Sequence, residues 1–133
     1  MGGRVALKVA EENPKRIKKL ILESTHFGVT ETEKEARREW ESQVIQNIKE
    51  NSLSEFLGQW YSQHLFGEIK EHHSYPKLLK NRLKQNKNEL IKAFQGLSIC
   101  NHPNFYPELV NFPCPIHYIV GEKDSKYHNI AIK

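Results

Sequence analysis

Lys18-Lys19-Leu20-Ile21-Leu22-Glu23-Ser24 is a short apolar run with bases in front and a turn behind, and it reads as a strand. Upstream, Val5, Ala6, Val9 and Ala10 form a helical stripe that stops at Asn13-Pro14, since proline lacks the N–H a continuing helix needs. Helix, proline turn and strand in quick succession make the αβ half of a parallel-sheet unit. A second candidate strand, Ile116-His117-Tyr118-Ile119-Val120, is closed by Gly121-Glu122-Lys123-Asp124.

Between the strands the pattern turns helical. Thr32-Glu33-Lys34-Glu35 and Ser52-Leu53-Ser54-Glu55 both have the form of a capping box, in which a hydroxyl and a carboxylate satisfy the first backbone donors reciprocally. Ala36, Trp40, Val44 and Ile48 recur every four residues, and Phe56, Leu57, Trp60 and Tyr61 follow the second box. Pro76 suits the first turn of a third segment carrying Leu78, Leu79, Leu83, Leu90, Ile91 and Phe94, with Asn86-Lys87-Asn88 as a candidate break. Residues 101–115 hold four prolines and read as an irregular connection. The expectation is an α/β chain in three parts: a core helix and strand at 1–29, a helical insertion at 30–96, and a core strand with its loop at 97–133. Two strands alone neither bury the faces of a sheet nor protect its edges. The chain therefore reads as a piece of a larger α/β domain, folding marginally and exposing apolar faces.

Composition bounds the function. The 133 residues carry 20 Lys plus Arg against 16 Asp plus Glu, with 38% hydrophobic and 27% charged residues, which is neither a disordered nor a membrane composition. No stretch approaches the roughly 20 apolar residues of a spanning helix. Cys100 and Cys114 cannot build a disulfide framework or a four-cysteine zinc site, so a reduced, cytoplasmic protein is expected.

Two short motifs carry chemistry. Met1-Gly2-Gly3-Arg4 opening a helix has the form of the back half of a nucleophile elbow, Gly-x-Ser-x-Gly-Gly, whose small residues allow close backbone packing. Any start codon before two glycines gives the same letters. Ile119-Val120-Gly121-Glu122-Lys123-Asp124 puts an acid after a strand, where it can orient the imidazole of a Ser–His–Asp triad; an Asp there is also a common turn former. The two motifs stand in the right order, separated by a helical insertion of lid size.

With these motifs, the stretches Leu20-Ile21-Leu22-Glu23-Ser24, Trp60-Tyr61-Ser62-Gln63, Arg82, and Gly121-Glu122-Lys123-Asp124-Ser125-Lys126-Tyr127 resemble the 2-succinyl-6-hydroxy-2,4-cyclohexadiene-1-carboxylate synthases over nearly the whole chain. These are α/β-hydrolase-fold enzymes of menaquinone biosynthesis. The resemblance implies a partial α/β-hydrolase fold: the helix after the elbow, two parallel core strands and a helical lid. It implies a triad used as a base, which removes a proton from 2-succinyl-5-enolpyruvyl-6-hydroxy-3-cyclohexene-1-carboxylate and drives elimination of pyruvate. No metal or organic cofactor is implied.

On the same resemblance, Asp124 is the triad acid and Met1 supplies an oxyanion N–H. Arg4, Arg37 and Arg82 bind substrate carboxylates, and Trp60 shapes the pocket. A tricarboxylate asks for several cations, best met by the planar fork of Arg. Arg37 shares a helical face with Trp40 and Val44, and Arg38 exchanges roles with it if the spacing slips by one. The nucleophile Ser, the catalytic His and the first oxyanion segment are not found at matching positions, so the chain alone is expected to be inactive. Trp60 by itself would be helix core, and each Arg by itself a surface side chain with its stem laid on apolar neighbours.

Rival readings are weaker. Lys77, Lys80, Arg82, Lys84, Lys87 and Lys92 could track phosphates, but they are scattered around the helix without aromatic interleaving, so no nucleic-acid partner is expected. His72-His73 is a poor metal pair, because adjacent histidines are expected to point apart. A generic α/β-hydrolase acting on an ester, thioester or C–C bond has no special need of Arg37 and Arg82. A non-catalytic interaction fragment is the remaining alternative.

Overall fold

The computed structural model describes residues 1–132. The helices are α1 (Gly2–Glu12), α2 (Glu31–Glu50), α3 (Leu53–Trp60), α4 (Tyr75–Arg82), α5 (Lys87–Gly96) and α6 (Ser125–Ala131). The strands are β1 (Leu20–Glu23) and β2 (Ile116–Ile119), with short 3-10 turns between elements. The chain divides into two compact units, Met1–Lys34 with Ile99–Lys133, and Glu35–Ser98.

In the first unit β1 and β2 pair in parallel, Leu20 opposite Ile116 and Glu23 opposite Ile119. Parallel neighbours need a long crossover, and the ninety-odd residues between these two supply it. Leu20 and Leu22 point inward and Ile21 and Glu23 outward, as the two-residue period of a strand requires. The core consists of Leu7, Ala10, Leu20, Leu22, Phe27, Phe105 and Cys114. The other sheet face leaves Ile21 61% and Ile119 53% exposed, so the expectation of exposed apolar strand residues holds.

The stripe read on α1 needs correcting. Leu7 and Ala10 are fully buried, whereas Val5 and Val9 are about half exposed. Gly3, Leu7 and Ala10 recur at helical spacing along one face, and Gly3 sets that face: a Cβ there would collide with the side chain of buried Thr25. The helix sits against the end of β1 at a distance only glycine permits.

The second unit has its own core of Ile48, Phe56, Leu57 and Tyr61. Trp60 lies in the middle of an aromatic cluster, with ring centroids 5.7 Å from Phe56, 6.0 Å from Phe66, 5.6 Å from Phe94 and 6.2 Å from Trp40. The Ser52–Glu55 capping box forms as read, both reciprocal bonds present. The first box is displaced. Thr30, not Thr32, takes the cap: Glu33 N–H donates to its Oγ1 at 3.3 Å, and its own N–H donates to Glu33 Oε2 at 2.8 Å. Both Thr30 and Thr32 are followed by a Glu three residues on, and helix α2 starting at Glu31 selects the earlier pair.

Asn86 splits the third segment, its side chain accepting from the N–H groups of Asn88 and Glu89 at the head of α5. Within the basic run, Lys87 donates to the carbonyls of Lys49 (3.1 Å) and Asn51 (2.7 Å) and so closes the C-terminal end of α2, where a cation is favoured. His72 and His73 do not point apart: their exposed rings lie 4.3 Å from each other. Among the described residues no three His, Cys, Asp or Glu side chains gather as a metal site would need, and no helix is long and apolar enough to cross a membrane.

Candidate functional site

In the first unit, the carboxyl ends of β1 and β2 lie side by side, the place where open α/β sheets hold their ligands. Asp124 stands in the loop after β2, half-buried, at the N-cap of α6. One carboxylate oxygen, Oδ1, accepts from Tyr127 N–H at 3.1 Å, and its own N–H donates to Gly121 O at 2.9 Å. Helix α6 is an element the sequence reading missed. Its signal was the capping Asp itself, read as a catalytic acid or a turn former without the helix it begins.

Opposite Asp124, at the end of β1, is Ser24. Its Oγ lies 3.5 Å from Asp124 Oδ2, and its φ of 41° is the one positive φ at a non-glycine among the described residues. The bend it belongs to is tied down on every side. Ser24 N–H donates to Ile119 O at 2.9 Å, Thr25 Oγ1 donates to Glu23 O at 3.2 Å, and Tyr118 OH donates to Thr25 O at 2.9 Å. Burial, followed by the neighbouring Tyr127 phenol, raises the Tyr118 hydroxyl above its ordinary pKa.

Met1 and Arg4 stand at the start of α1. Met1 is the N-cap of α1; its carbonyl accepts from Arg4 N–H at 2.9 Å, and its side chain is exposed. Arg4 is half-buried with Nη1 sealed from solvent. His102, which the sequence gave no reason to single out, feels both. Burial lowers its pKa first, and the positive charges of Arg4 and of the terminal ammonium lower it further. This corner has a helix N-terminus and a guanidinium, both of which attract anions.

In the second unit, Arg37 is committed to local partners. Its Nε donates to Glu41 Oε1 at 2.7 Å, and its guanidinium carbon lies 4.3 Å from the centroid of Trp40. Glu41 is only 7% exposed, so its carboxylate is largely withdrawn from water, while the Arg37 side chain stays 37% exposed. Both residues line a cavity of about 250 Å³ with Leu90, Ala93, Phe94 and Leu97. Arg38, one position on, is exposed. Arg82, at the exposed end of α4, lines a different groove with Lys77, Asn81 and Gln85, so Arg37 and Arg82 do not share a cavity. Trp60 borders a third hollow of about 220 Å³ together with Trp40, Val44, Asn47 and Gln59.

Comparison with known proteins finds chains to which this one is similar. A 2-succinyl-6-hydroxy-2,4-cyclohexadiene-1-carboxylate synthase of Klebsiella pneumoniae is 28% identical over 132 residues, 98% of this chain and 52% of the relative. The enzyme of the same name from Enterobacter sp. is 30% identical, again over 98% of this chain and 51% of the relative. The chain resembles these synthases along nearly all its length. A solved structure of MenH from S. aureus superposes with a TM-score of 0.78 at 28% identity, covering 98% of this chain and 50% of that one. The two parallel strands and their helices are thus part of an α/β-hydrolase fold. No family model matches the chain. The chain spans about half the length of the synthases it matches.

Proposed function

We propose that this chain supplies the acid and the lid of a synthase that eliminates pyruvate from 2-succinyl-5-enolpyruvyl-6-hydroxy-3-cyclohexene-1-carboxylate in the cytoplasm. The observation that carries the reading is Asp124, placed after β2 beside the carboxyl end of β1 within a chain similar to the synthases over 98% of its length. In the whole protein Asp124 accepts a hydrogen bond from the catalytic imidazole, fixing its tautomer and stabilising the imidazolium that forms when the triad takes the substrate proton. The electrons of the broken C2–H bond form a C2–C3 double bond, the ring's C3–C4 double bond shifts to C4–C5, and the ring C5–O bond breaks; the departing enolpyruvate takes a proton on carbon and becomes pyruvate.

The other assignments follow the substrate's charge. Arg4, at the N-terminus of α1, meets one carboxylate, and the Met1 N–H serves as an oxyanion donor when a peptide bond precedes it. Residues 30–96 form the lid, which offers Arg82 to a second carboxylate and Trp60 as an aromatic surface, the two bordering separate hollows in this structure. Arg37 enters this scheme as a guanidinium already held by Glu41 and Trp40. Within residues 1–133 no Ser stands in an elbow motif, and the His that follows Asp124, His128, lies in the helix Asp124 caps, so the chain by itself is expected to release no pyruvate above a buffer control. A full-length protein carrying the chain is expected to release it, and to lose substrate affinity on Arg82→Ala. Activity on simple esters that is indifferent to Arg82→Ala would instead favour a generic hydrolase.

A further inference from the structure

Ser24 occupies a conformation that glycine would hold without strain, yet the chain places a hydroxyl there. At φ 41° a side chain is crowded by its own carbonyl, and such residues persist only where their surroundings over-determine them. Those surroundings are the bonds from Ser24 N–H to Ile119 O and from Tyr118 OH to Thr25 O, together with Thr25 pressed against Gly3. Strand register, an aromatic hydroxyl and a helix contact thus hold one bend. Its result is that the Ser24 Oγ faces Asp124 Oδ2, a hundred residues away in sequence.

We propose that Ser24 is a positioning residue for Asp124: the strained end of β1 holds a hydroxyl against one carboxylate oxygen while Tyr127 N–H holds the other, fixing the plane of the carboxylate. At 3.5 Å the hydroxyl contact is long for an O–H···O bond, and the backbone rather than the bond itself keeps the group in place. With both oxygens engaged, the carboxylate has one orientation from which to receive an imidazole N–H. The catalytic meaning rests on reading Asp124 as the triad acid; the positioning does not.

Stability and positioning move in opposite directions under one substitution. Ser24→Gly relieves the positive φ and removes the hydroxyl, so the melting temperature should rise, by about 3 °C. The Tyr127 amide, no longer served by a fixed carboxylate, should exchange with deuterium about threefold faster or more. Ser24→Ala keeps the strain and should show the faster exchange without the rise. Ser24→Asn tolerates the same backbone region and restores a donor, so it should return Tyr127 exchange toward wild type. All are measured on full-length protein carrying the chain, without substrate, the exchange by NMR, independent of any synthase activity. Unchanged Tyr127 exchange in Ser24→Gly and Ser24→Ala would overturn the proposal, as would an Asn variant that exchanges as fast as the Ala variant.

Discussion

At the residue scale, two adjacent arginines show how burial separates chemically equal side chains. Arg37 neutralises Glu41, whose side chain is 10% exposed, whereas Arg38 lies in solvent. Arg37→Ala leaves a nearly buried carboxylate without its partner and should cost about 1–3 kcal/mol in chemical denaturation. Arg38→Ala should stay within about 0.5 kcal/mol. Adding Glu41→Gln to Arg37→Ala should recover part of the loss, a coupling that a double-mutant cycle reads directly. His102 gives a pH dependence with a defined sign. Its folded pKa lies below 6.5, so between the two values the unfolded chain binds more protons than the folded one. Stability is therefore fully present above about pH 6.5 and declines as pH falls through the folded value. His102→Asn should flatten that part of a stability–pH curve.

At the scale of elements, the sequence was most readable where one local rule acted alone. The Leu20-Ile21-Leu22-Glu23 strand, the proline stop after α1, the Asn86 break and the Ser52–Glu55 box all depend on near neighbours, and all formed. The box gives a direct test: Ser52→Ala removes the acceptor for Glu55 N–H and should destabilise the second unit by about 1 kcal/mol. The misreadings have a common cause. Val5 and Val9 are as apolar as Leu7, and which of them faces inward depends on Gly3 meeting Thr25, a contact between elements. Thr30 and Thr32 offered equivalent boxes, and the helix start chose between them. The Glu41–Arg37–Trp40 group lay on one helix at legible spacing, but nothing in the letters showed that Glu41 would be buried. The strained turn at Ser24 had no sequence signal, since serine is no marker of positive φ.

For the whole molecule, the two units are packed separately, each around buried clusters of its own. The unit containing β1 and β2 carries Asp124, Arg4 and Ser24, and the helical unit carries Arg37, Trp60 and Arg82. Similarity to the synthases runs through both, so it does not rest on one motif; it covers about half of each relative. On the proposed reading, the acid after β2 ties fold to function. The most direct test is pyruvate release from the enolpyruvyl substrate by full-length protein carrying this chain, compared with its Asp124→Asn form. Clear turnover is expected in the first, and in the second a loss of kcat of at least about a hundredfold with little change in KM. No pyruvate release by the full-length protein, or full activity in Asp124→Asn, would contradict the account.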